Sequence, residues 1–343
     1  MGRKARCWSA GARLAALSLL ASCSPSEPHR PAPSAASTDS NGNTQQLTPE
    51  GFVFDNDGSI IVVQLPEGPP GRTYGIHVDD THVYWLEIAN DVFRISKSGG
   101  PAERIGDWDG SSMIEGDAEA LYWLSPATQL NRYDKRTGAL TTREIPPGFG
   151  SAAILLDEQR VYLFGHNCSY RLRIPKDGSE PRLDDDRLGE MGGGRYPAFY
   201  GDRVFCGNLR GIRTEPRAGG TLEYLILGQN NLGAMVAVDG YLYWADLGDL
   251  PTDPSFIRRV PVGGGSPEDV VRFDNGRTGN LHYDEQRETF YWVSAFRVLS
   301  FQLGEAEPHT LVARPMTKRV SAMDEDYVYW PEDGSIRKIS KDR

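Results

Sequence analysis

The sequence predicts an all-β fold, a seven-bladed β-propeller of four-stranded blades, with six or eight blades as alternatives. One short aromatic phrase occurs seven times at intervals of 38 to 48 residues, and a period of roughly 40 is typical of propellers, solenoids and other repeat arrays. Short β-branched and aromatic runs, separated by Gly, Asn and Asp, fill each interval, as expected for antiparallel strands joined by tight turns. Four such strands per repeat make one blade.

Each copy of the phrase centres on a Tyr or Phe, which Trp follows in five copies. The copies are Tyr84-Trp85, Tyr122-Trp123, Tyr162-Leu163, Phe205-Cys206, Tyr243-Trp244, Tyr291-Trp292 and Tyr329-Trp330. Large flat side chains at one repeat position predict packing between neighbouring blades. An aromatic ligand box is the alternative interpretation.

The two ends of the repeat array predict how the ring closes. The last copy contains only three strands, whereas one additional strand, over residues 59–65, precedes the first copy. An open ring would leave unpaired strand edges, which full closure removes. The strand at 59–65 is therefore predicted to complete the seventh blade.

The first residues predict where the protein is located in the cell. Arg3, Lys4, Arg6 and Arg13 precede an apolar stretch over 14–21, which is too short to span a bilayer and is typical of a signal peptide. The stretch ends in Leu20-Ala21-Ser22-Cys23, which resembles the bacterial lipoprotein signal. That resemblance implies cleavage before Cys23, lipidation of Cys23 and a membrane anchor, and Ser24 at the next position favours the outer membrane of the cell envelope. An ordinary secretory signal with an incidental Cys is the alternative.

Composition divides the rest of the chain into two parts. After the signal peptide at 1–22, residues 23–50 are rich in Ser, Pro, Ala, Thr, Asn and Gln, which predicts a lipidated Cys followed by a disordered tether. Residues 51–343 are predicted to form the propeller domain. The formal net charge of −10 argues against a nucleic-acid partner, because binding to nucleic acid depends on neutralising phosphates with Lys and Arg.

The two remaining cysteines, Cys168 and Cys206, fall in adjacent repeats, and Cys206 takes the place that Trp holds in other copies. Disulfides persist in the oxidising compartment that the signal predicts. A Cys168–Cys206 disulfide and two buried free thiols are both consistent with the sequence.

The repeats also differ at a position on the predicted innermost strand, seven residues before the Tyr or Phe. The residues there are His77, Glu115, Leu155, Ala198, Val236, His282 (after one extra turn residue) and Ala322. The sharper hypothesis is a polar or metal site in the central channel made by His77, Glu115 and His282, with Zn²⁺ as a metal that such ligands suit. The alternative is a channel lining bonded to water.

A second candidate region is one loop face of the ring, where acidic residues and one aromatic residue gather. Its residues are Trp108, Asp184, Asp185, Asp186, Asp246, Asp249 and Asp253. Loops on a rigid scaffold commonly carry binding functions, and oxygen ligands of this kind suit Ca²⁺. Solvated acidic loops are the alternative, and the sequence requires no cofactor.

The sequence resembles known repeats as well. The run Val78-Asp79-Asp80-Thr81-His82-Val83-Tyr84-Trp85, and Tyr243-Trp244-Ala245-Asp246, resemble the Tyr-Trp-Thr-Asp propeller of low-density-lipoprotein-receptor relatives and, still more, repeat-bearing lipoproteins of environmental bacteria. A weaker similarity is to the streptogramin-lyase type of propeller. The receptor propeller has six blades, whereas seven repeats are present here.

The expected function is a lipid-anchored binding module for a protein, peptide or glycan. A propeller lyase or hydrolase with a metal-assisted channel site is the alternative, and a structural spacer in an envelope assembly is a third hypothesis. The sequence contains no Gly-x-Ser-x-Gly, His-Glu-x-x-His, phosphate-loop or dinucleotide motif. Propeller enzymes assemble their sites from scattered loops, so a propeller can be catalytic without any of these motifs.

Overall fold

The computed structural model describes residues 36–38, 44–46, 53–65, 73–87, 91–108, 113–125, 128–147, 149, 153–165, 170–185, 197–208, 210–229, 231–247, 253–273, 278–314, 320–332 and 334–343. The chain divides into Met1–Pro33 and Ser34–Arg343, and every described residue lies in the second unit. The predicted signal peptide and Cys23 therefore lie outside the described residues. Within the described ranges there is no helix that could cross a membrane.

The described residues form β-strands, and seven antiparallel sheets of at least four strands make a β-propeller, as predicted. Blades 1 to 3 contain β5 (Thr73–Val78), β6 (His82–Glu87), β7 (Asp91–Ser96), β8 (Glu103–Asp107); β9 (Glu115–Gly116), β10 (Ala120–Leu124), β11 (Gln129–Asp134), β12 (Leu140–Glu144); and β13 (Ala153–Leu156), β14 (Arg160–Phe164), β15 (Tyr170–Pro175), β16 (Arg182–Asp185). Blades 4 to 6 contain β17 (Ala198–Tyr200), β18 (Arg203–Asn208), β19 (Gly211–Pro216), β20 (Glu223–Leu227); β21 (Leu232–Val238), β22 (Tyr241–Asp246), β23 (Ser255–Pro261), β24 (Glu268–Phe273); and β25 (Leu281–Asp284), β26 (Thr289–Val293), β27 (Arg297–Gln302), β28 (His309–Ala313). Blade 7 contains β29 (Ala322–Met323), β30 (Tyr327–Glu332), β31 (Ser335–Ser340), β4 (Ile60–Gln64) and β3 (Val53–Phe54).

Ring closure by the N-terminal strand is confirmed. β4 pairs with β31 in an antiparallel register as the fourth strand of blade 7, and β3 adds a fifth. Arg337 Nη1 donates to Asp55 Oδ2 at 2.7 Å, so an ion pair reinforces the closing strands. Two other short strands, β1 (Ala36–Thr38) and β2 (Thr44–Gln46), pair inside the segment that composition predicts to be a disordered tether. A two-stranded hairpin alone is marginal in water.

The repeated aromatic pair forms the interfaces between blades, as predicted. All five Trp residues of the phrase are at most 1% exposed. Each packs in one hydrophobic cluster with the Tyr or Phe of the preceding blade, as Trp123 does with Tyr84 and Trp292 with Tyr243. The aromatic positions are therefore core positions, and burial of such large side chains is the main stabilising term at these interfaces.

The interface between blades 3 and 4 is built differently. Cys206 replaces Trp, is 6% exposed and packs with Tyr162 of blade 3. Cys206 is disulfide-bonded, whereas Cys168 lies outside the described residues, so its pairing with Cys206 stays a prediction. An ion pair between Arg171 of β15 and Glu215 of β19, both buried, also joins the two blades.

Lysine–aspartate clasps, which were not predicted from the sequence, join four of the seven pairs of neighbouring blades. In four blades, a Lys directly after the third strand donates to the carbonyl of an Asp after the first strand of its own blade. The same ammonium pairs with the equivalent Asp carboxylate of the preceding blade. The pairs are Lys97–Asp324 at 2.5 Å, Lys135–Asp79 at 2.7 Å, Lys176–Asp117 at 2.5 Å and Lys341–Asp284 at 2.8 Å.

Among the described residues, three interfaces lack this clasp. Between blades 3 and 4 the Asp is retained as Asp157 and Arg217 stands at the Lys position, whereas at the other two interfaces both clasp residues are replaced. Val262 stands at the Lys position of blade 5, and Tyr200 stands at the Asp position of blade 4. The two pack against the same hydrophobic cluster. Leu303 in blade 6 and Val238 in blade 5 form the second such apolar combination. Because both clasp residues are replaced in each pair, neither interface retains one clasp charge without its partner.

The clasps predict a loss of stability in acid. Although burial opposes it, the hydrogen bonds from Lys176 and from the Ala120 and Glu119 amides lower the pKa of Asp117. A carboxyl whose pKa is lower in the folded state stabilises the fold above its unfolded pKa, and this contribution disappears as the pH falls. We expect Asp117→Asn to have a free energy of unfolding about 1–2 kcal/mol lower than that of the wild type near neutral pH. Between about pH 5 and pH 3, the free energy of unfolding of the variant should fall by less than that of the wild type.

Urea unfolding at several pH values measures this difference. Asp202→Asn is the matched control, because Asp202 is exposed and occupies the corresponding turn of blade 4. Parallel pH profiles for the Asp117→Asn variant and the wild type would show that the clasp does not contribute.

Candidate functional site

The central channel is lined by the first strand of every blade, and these strands set the candidate site. The seven channel positions pair in register with the aromatic position of the phrase: His77 with Tyr84, Glu115 with Tyr122, Leu155 with Tyr162, Ala198 with Phe205, Val236 with Tyr243, His282 with Tyr291 and Ala322 with Tyr329. His282 lies nine residues before Tyr291, whereas the other six residues lie seven before their aromatic partner, so the turn of blade 6 contains two extra residues and not the one expected from the sequence. The seven residues therefore form one layer of the channel.

The structure brings His77, Glu115 and His282 to one cavity of about 150 Å³. Its walls come from the first strands of blades 6, 7, 1 and 2 and the residues that precede them. Blade 7 contributes Ala322 between the two histidine blades, and this small side chain leaves space in the layer. We name this space the channel cavity.

Glu115 and His77 lie next to each other across the junction of blades 1 and 2. Glu115 Oε2 is 3.9 Å from His77 Nδ1, and 37% of the Glu115 side-chain surface is accessible. That surface lines the channel cavity, where burial raises the pKa of Glu115 to about 8. Burial, with a smaller contribution from the Lys135 charge, lowers the pKa of His77 to about 4. His77 is thus neutral at pH 7, and Glu115 is mainly protonated.

His282 is held by blade 7. Its Nε2 lies 3.1 Å from the Ser321 carbonyl oxygen and 3.0 Å from Ser321 Oγ. Because a carbonyl only accepts, Nε2 carries the proton, which leaves Nδ1 as an acceptor in the neutral ring. Burial lowers the pKa of His282 to about 4. The Asn280 side chain accepts from the Ser321 amide at 3.2 Å, so Asn280 and Ser321 together fix the wall beside His282.

The three residues share a cavity, but they do not form a metal site. Among the described residues, no group of three His, Cys, Asp or Glu side chains could hold a metal ion. His282 Nε2 is committed to Ser321, and His77 Nε2 lies against Gly116, where an added Cβ would approach within 2.7 Å. The zinc hypothesis therefore has no assembled ligand set in this part of the chain.

The loop-face hypothesis is only partly testable on the described residues. Asp186 and Asp249 lie outside them, and Asp184 and Asp185 belong to the backbone of β16. Asp246 forms an ion pair with Arg258 at 3.2 Å, and Asp253 is half-buried before β23.

Trp108, which the sequence analysis placed among the candidate binding residues of this loop face, is buried and not available at the surface. Trp108 is 3% exposed and packs between blades 1 and 2 with Tyr84 and Trp123. Its ring centroid lies 5.4 Å from that of Tyr74, which is 44% exposed. The polar neighbours suggested a loop position, but burial of the large indole against the blade interface dominates. Trp108 is therefore a core residue.

The sequence identified three residues of the site and missed two others. His77, Glu115 and His282 differ from the other repeats, and that difference identified them. Asn280 and Ser321 were missed, because each lies just before the compared position and their importance depends on a contact between blades 6 and 7.

Comparison with solved structures supports the fold. A streptogramin B lyase is 15% identical, with 80% of this chain and 95% of that chain covered and a TM-score of 0.66. A YCF48 structure with bound D1 peptide is 12% identical, with 81% and 93% covered and a TM-score of 0.60. A nidogen/laminin complex matches at 17% identity, 62% and 85% coverage and a TM-score of 0.49. No protein-family model and no curated protein matches the sequence. At these identities the likeness to the streptogramin B lyase and to the YCF48 structure shows a shared propeller fold and no more.

Proposed function

We propose that this chain is a lipid-anchored propeller of the cell envelope that binds a protein or peptide partner, with one group of the partner entering the channel cavity. The observation that carries the proposal is the convergence of His77, Glu115 and His282 on one cavity. A concave site with a few convergent polar groups in an apolar wall is typical of ligand sites. The YCF48 propeller, with its bound D1 peptide, is an example of peptide binding on this fold.

Capture with matched variants tests this function. The soluble domain, residues 48–343, is immobilised and used to capture material from solubilised envelope, which mass spectrometry identifies. We expect one protein or peptide to be captured by the wild type and by Val236→Ala, and to be lost with His282→Ala and Glu115→Gln. Val236 is the control because it lies in the same layer of the channel, in blade 5.

Two results would contradict the binding function at this cavity. One is capture that is equal for all four proteins, which would place the binding surface elsewhere. The other is recovery of a glycan alone, which would replace the protein or peptide partner.

The lipid anchor gives a separate prediction. In cells supplied with labelled fatty acid, we expect the wild-type chain to be labelled and to fractionate with the outer membrane, because several acyl chains on one Cys anchor stably. Cys23→Ser should remove the label and release the domain. A labelled Cys23→Ser variant, or an unlabelled wild-type chain, would contradict lipidation at this residue.

A second candidate function, a lyase or hydrolase, is favoured by one observation. A carboxyl whose pKa is about 8 stays protonated at neutral pH and suits general acid catalysis. Glu115→Gln would then abolish turnover of a captured peptide while retaining its binding. Loss of peptide binding in Glu115→Gln would instead support the function as a binding module.

A further inference from the structure

The charged groups around the channel cavity differ in whether they have a partner of opposite charge. The ionic groups nearest to the histidines are Lys135, Asp79 and Asp117 around His77, and Lys341 near His282. All four belong to the clasps, in which each charge already has a partner. Their field is therefore largely balanced within the ring.

Glu115 has no such balance. Within the described residues, no Lys or Arg forms an ion pair with its carboxyl, and Nδ1 of the neutral His77 ring lies 3.9 Å from it. A carboxylate enclosed by protein is costly unless a cation or hydrogen-bond donors compensate it. The Glu115 carboxyl can thus become a negative charge inside the cavity when a cation enters, and the chain itself provides no cation to compensate that charge.

The rest of the cavity suits the stem of an organic cation. Ile76, Val78, Ile114, Val320 and Met323 supply apolar wall. His282 also lines the cavity, and with Nε2 bonded to Ser321 its Nδ1 is the acceptor of the neutral ring. An ammonium group has donors for both a carboxylate and a ring nitrogen. A cavity of about 150 Å³ holds a ligand about as large as benzene.

We infer that the channel cavity binds an organic cation, a primary ammonium or guanidinium group on a short aliphatic stem, with Glu115 as its counter-ion. The inference deepens the proposed function, because a Lys or Arg side chain of a partner presents such a group. It requires no metal ion. Cation binding converts protonated Glu115 to the carboxylate, so one proton leaves as the cation enters.

Calorimetric titration of the domain over residues 48–343 with n-butylammonium chloride tests this inference. We expect one site, and at least about tenfold weaker binding in Glu115→Gln, because the variant removes the counter-ion. Glu115→Asp should retain part of the affinity. Below about pH 8, the affinity should fall about tenfold per pH unit, since the proton competes with the cation. Titrations near pH 6.5 in buffers with different ionisation enthalpies should show release of about one proton.

Three controls determine what would overturn the inference. Equal binding of n-butanol would show that the cavity recognises only the stem. Unchanged affinity in Glu115→Gln would place the cation elsewhere. Stoichiometric Zn²⁺ binding that requires both histidines and displaces n-butylammonium would assign the cavity to a metal. Val236→Ala controls for altered folding and should bind as the wild type does.

The proposed partner-binding function and the inferred cation binding can be contradicted independently of each other. A partner that is captured through the cavity, in a domain that does not bind n-butylammonium, would leave the proposed function standing and remove the cation. Binding of n-butylammonium without capture of any partner would support cation binding in the cavity and contradict the proposed function.

Discussion

Replacing Trp292 with Ala should lower the free energy of unfolding by about 3–5 kcal/mol. Trp292 is 0% exposed, and its ring lies 5.4 Å from that of Phe273 in the preceding blade. The substitution removes the largest side chain of the interface between blades 5 and 6 and leaves a cavity that a rigid sheet pair cannot fill by relaxation. Urea unfolding, followed by tryptophan fluorescence and circular dichroism, measures the change.

Phe296→Ala is the matched control for this substitution. Phe296 lies in the loop between the second and third strands of the same blade and is 54% exposed. Its removal should change stability by no more than about 0.5 kcal/mol. Similar losses in both variants would show that the repeated Trp is not the source of interface stability.

Removal of the closing strand should have the largest effect of all. A protein that begins at residue 66 lacks β3 and β4, which exposes the edge of β31 and removes the buried side chains of Ile60 and Val62. It also removes Asp55, the partner of Arg337. We expect loss of cooperative unfolding and self-association through the open edge, because unpaired strands recruit other strands.

A protein that begins at residue 48 is the control and should unfold as one cooperative unit. A synthetic peptide of residues 53–65, added in trans, should restore solubility to the shorter protein by filling the same edge. A shorter protein that is monomeric and unfolds at the same urea concentration as the control would show that ring closure does not depend on this strand.

Most of the fold could be predicted because each blade repeats the same local information. The spacing of Tyr84, Tyr122 and their counterparts gave the number of blades, and the additional strand at 59–65 gave the closure. The same comparison placed His282 on the correct strand, although the turn of that repeat contains two extra residues rather than the expected one.

Contacts between blades were harder to predict. The clasp joins Lys135 of one blade to Asp79 of another, and each residue alone resembles an ordinary charged turn residue. The sequence evidence for the clasp is that both residues are replaced together, as by Val262 and Tyr200. Recognising this pattern requires knowing which blades are neighbours. Trp108 was misplaced for a related reason, because the acidic residues around it describe the loop whereas its burial depends on the neighbouring blade.

The measurement that tests the central claim most directly is photo-crosslinking with photo-methionine incorporated in place of methionine. The chain has 6 Met residues, of which Met113 and Met323 line the channel cavity and Met235 is 7% exposed. Irradiation of the domain with its captured partner, followed by peptide mapping, should give crosslinks at Met113 and Met323, and these should disappear when n-butylammonium is present in excess. Crosslinks confined to other methionines, unaffected by n-butylammonium, would contradict binding in the channel.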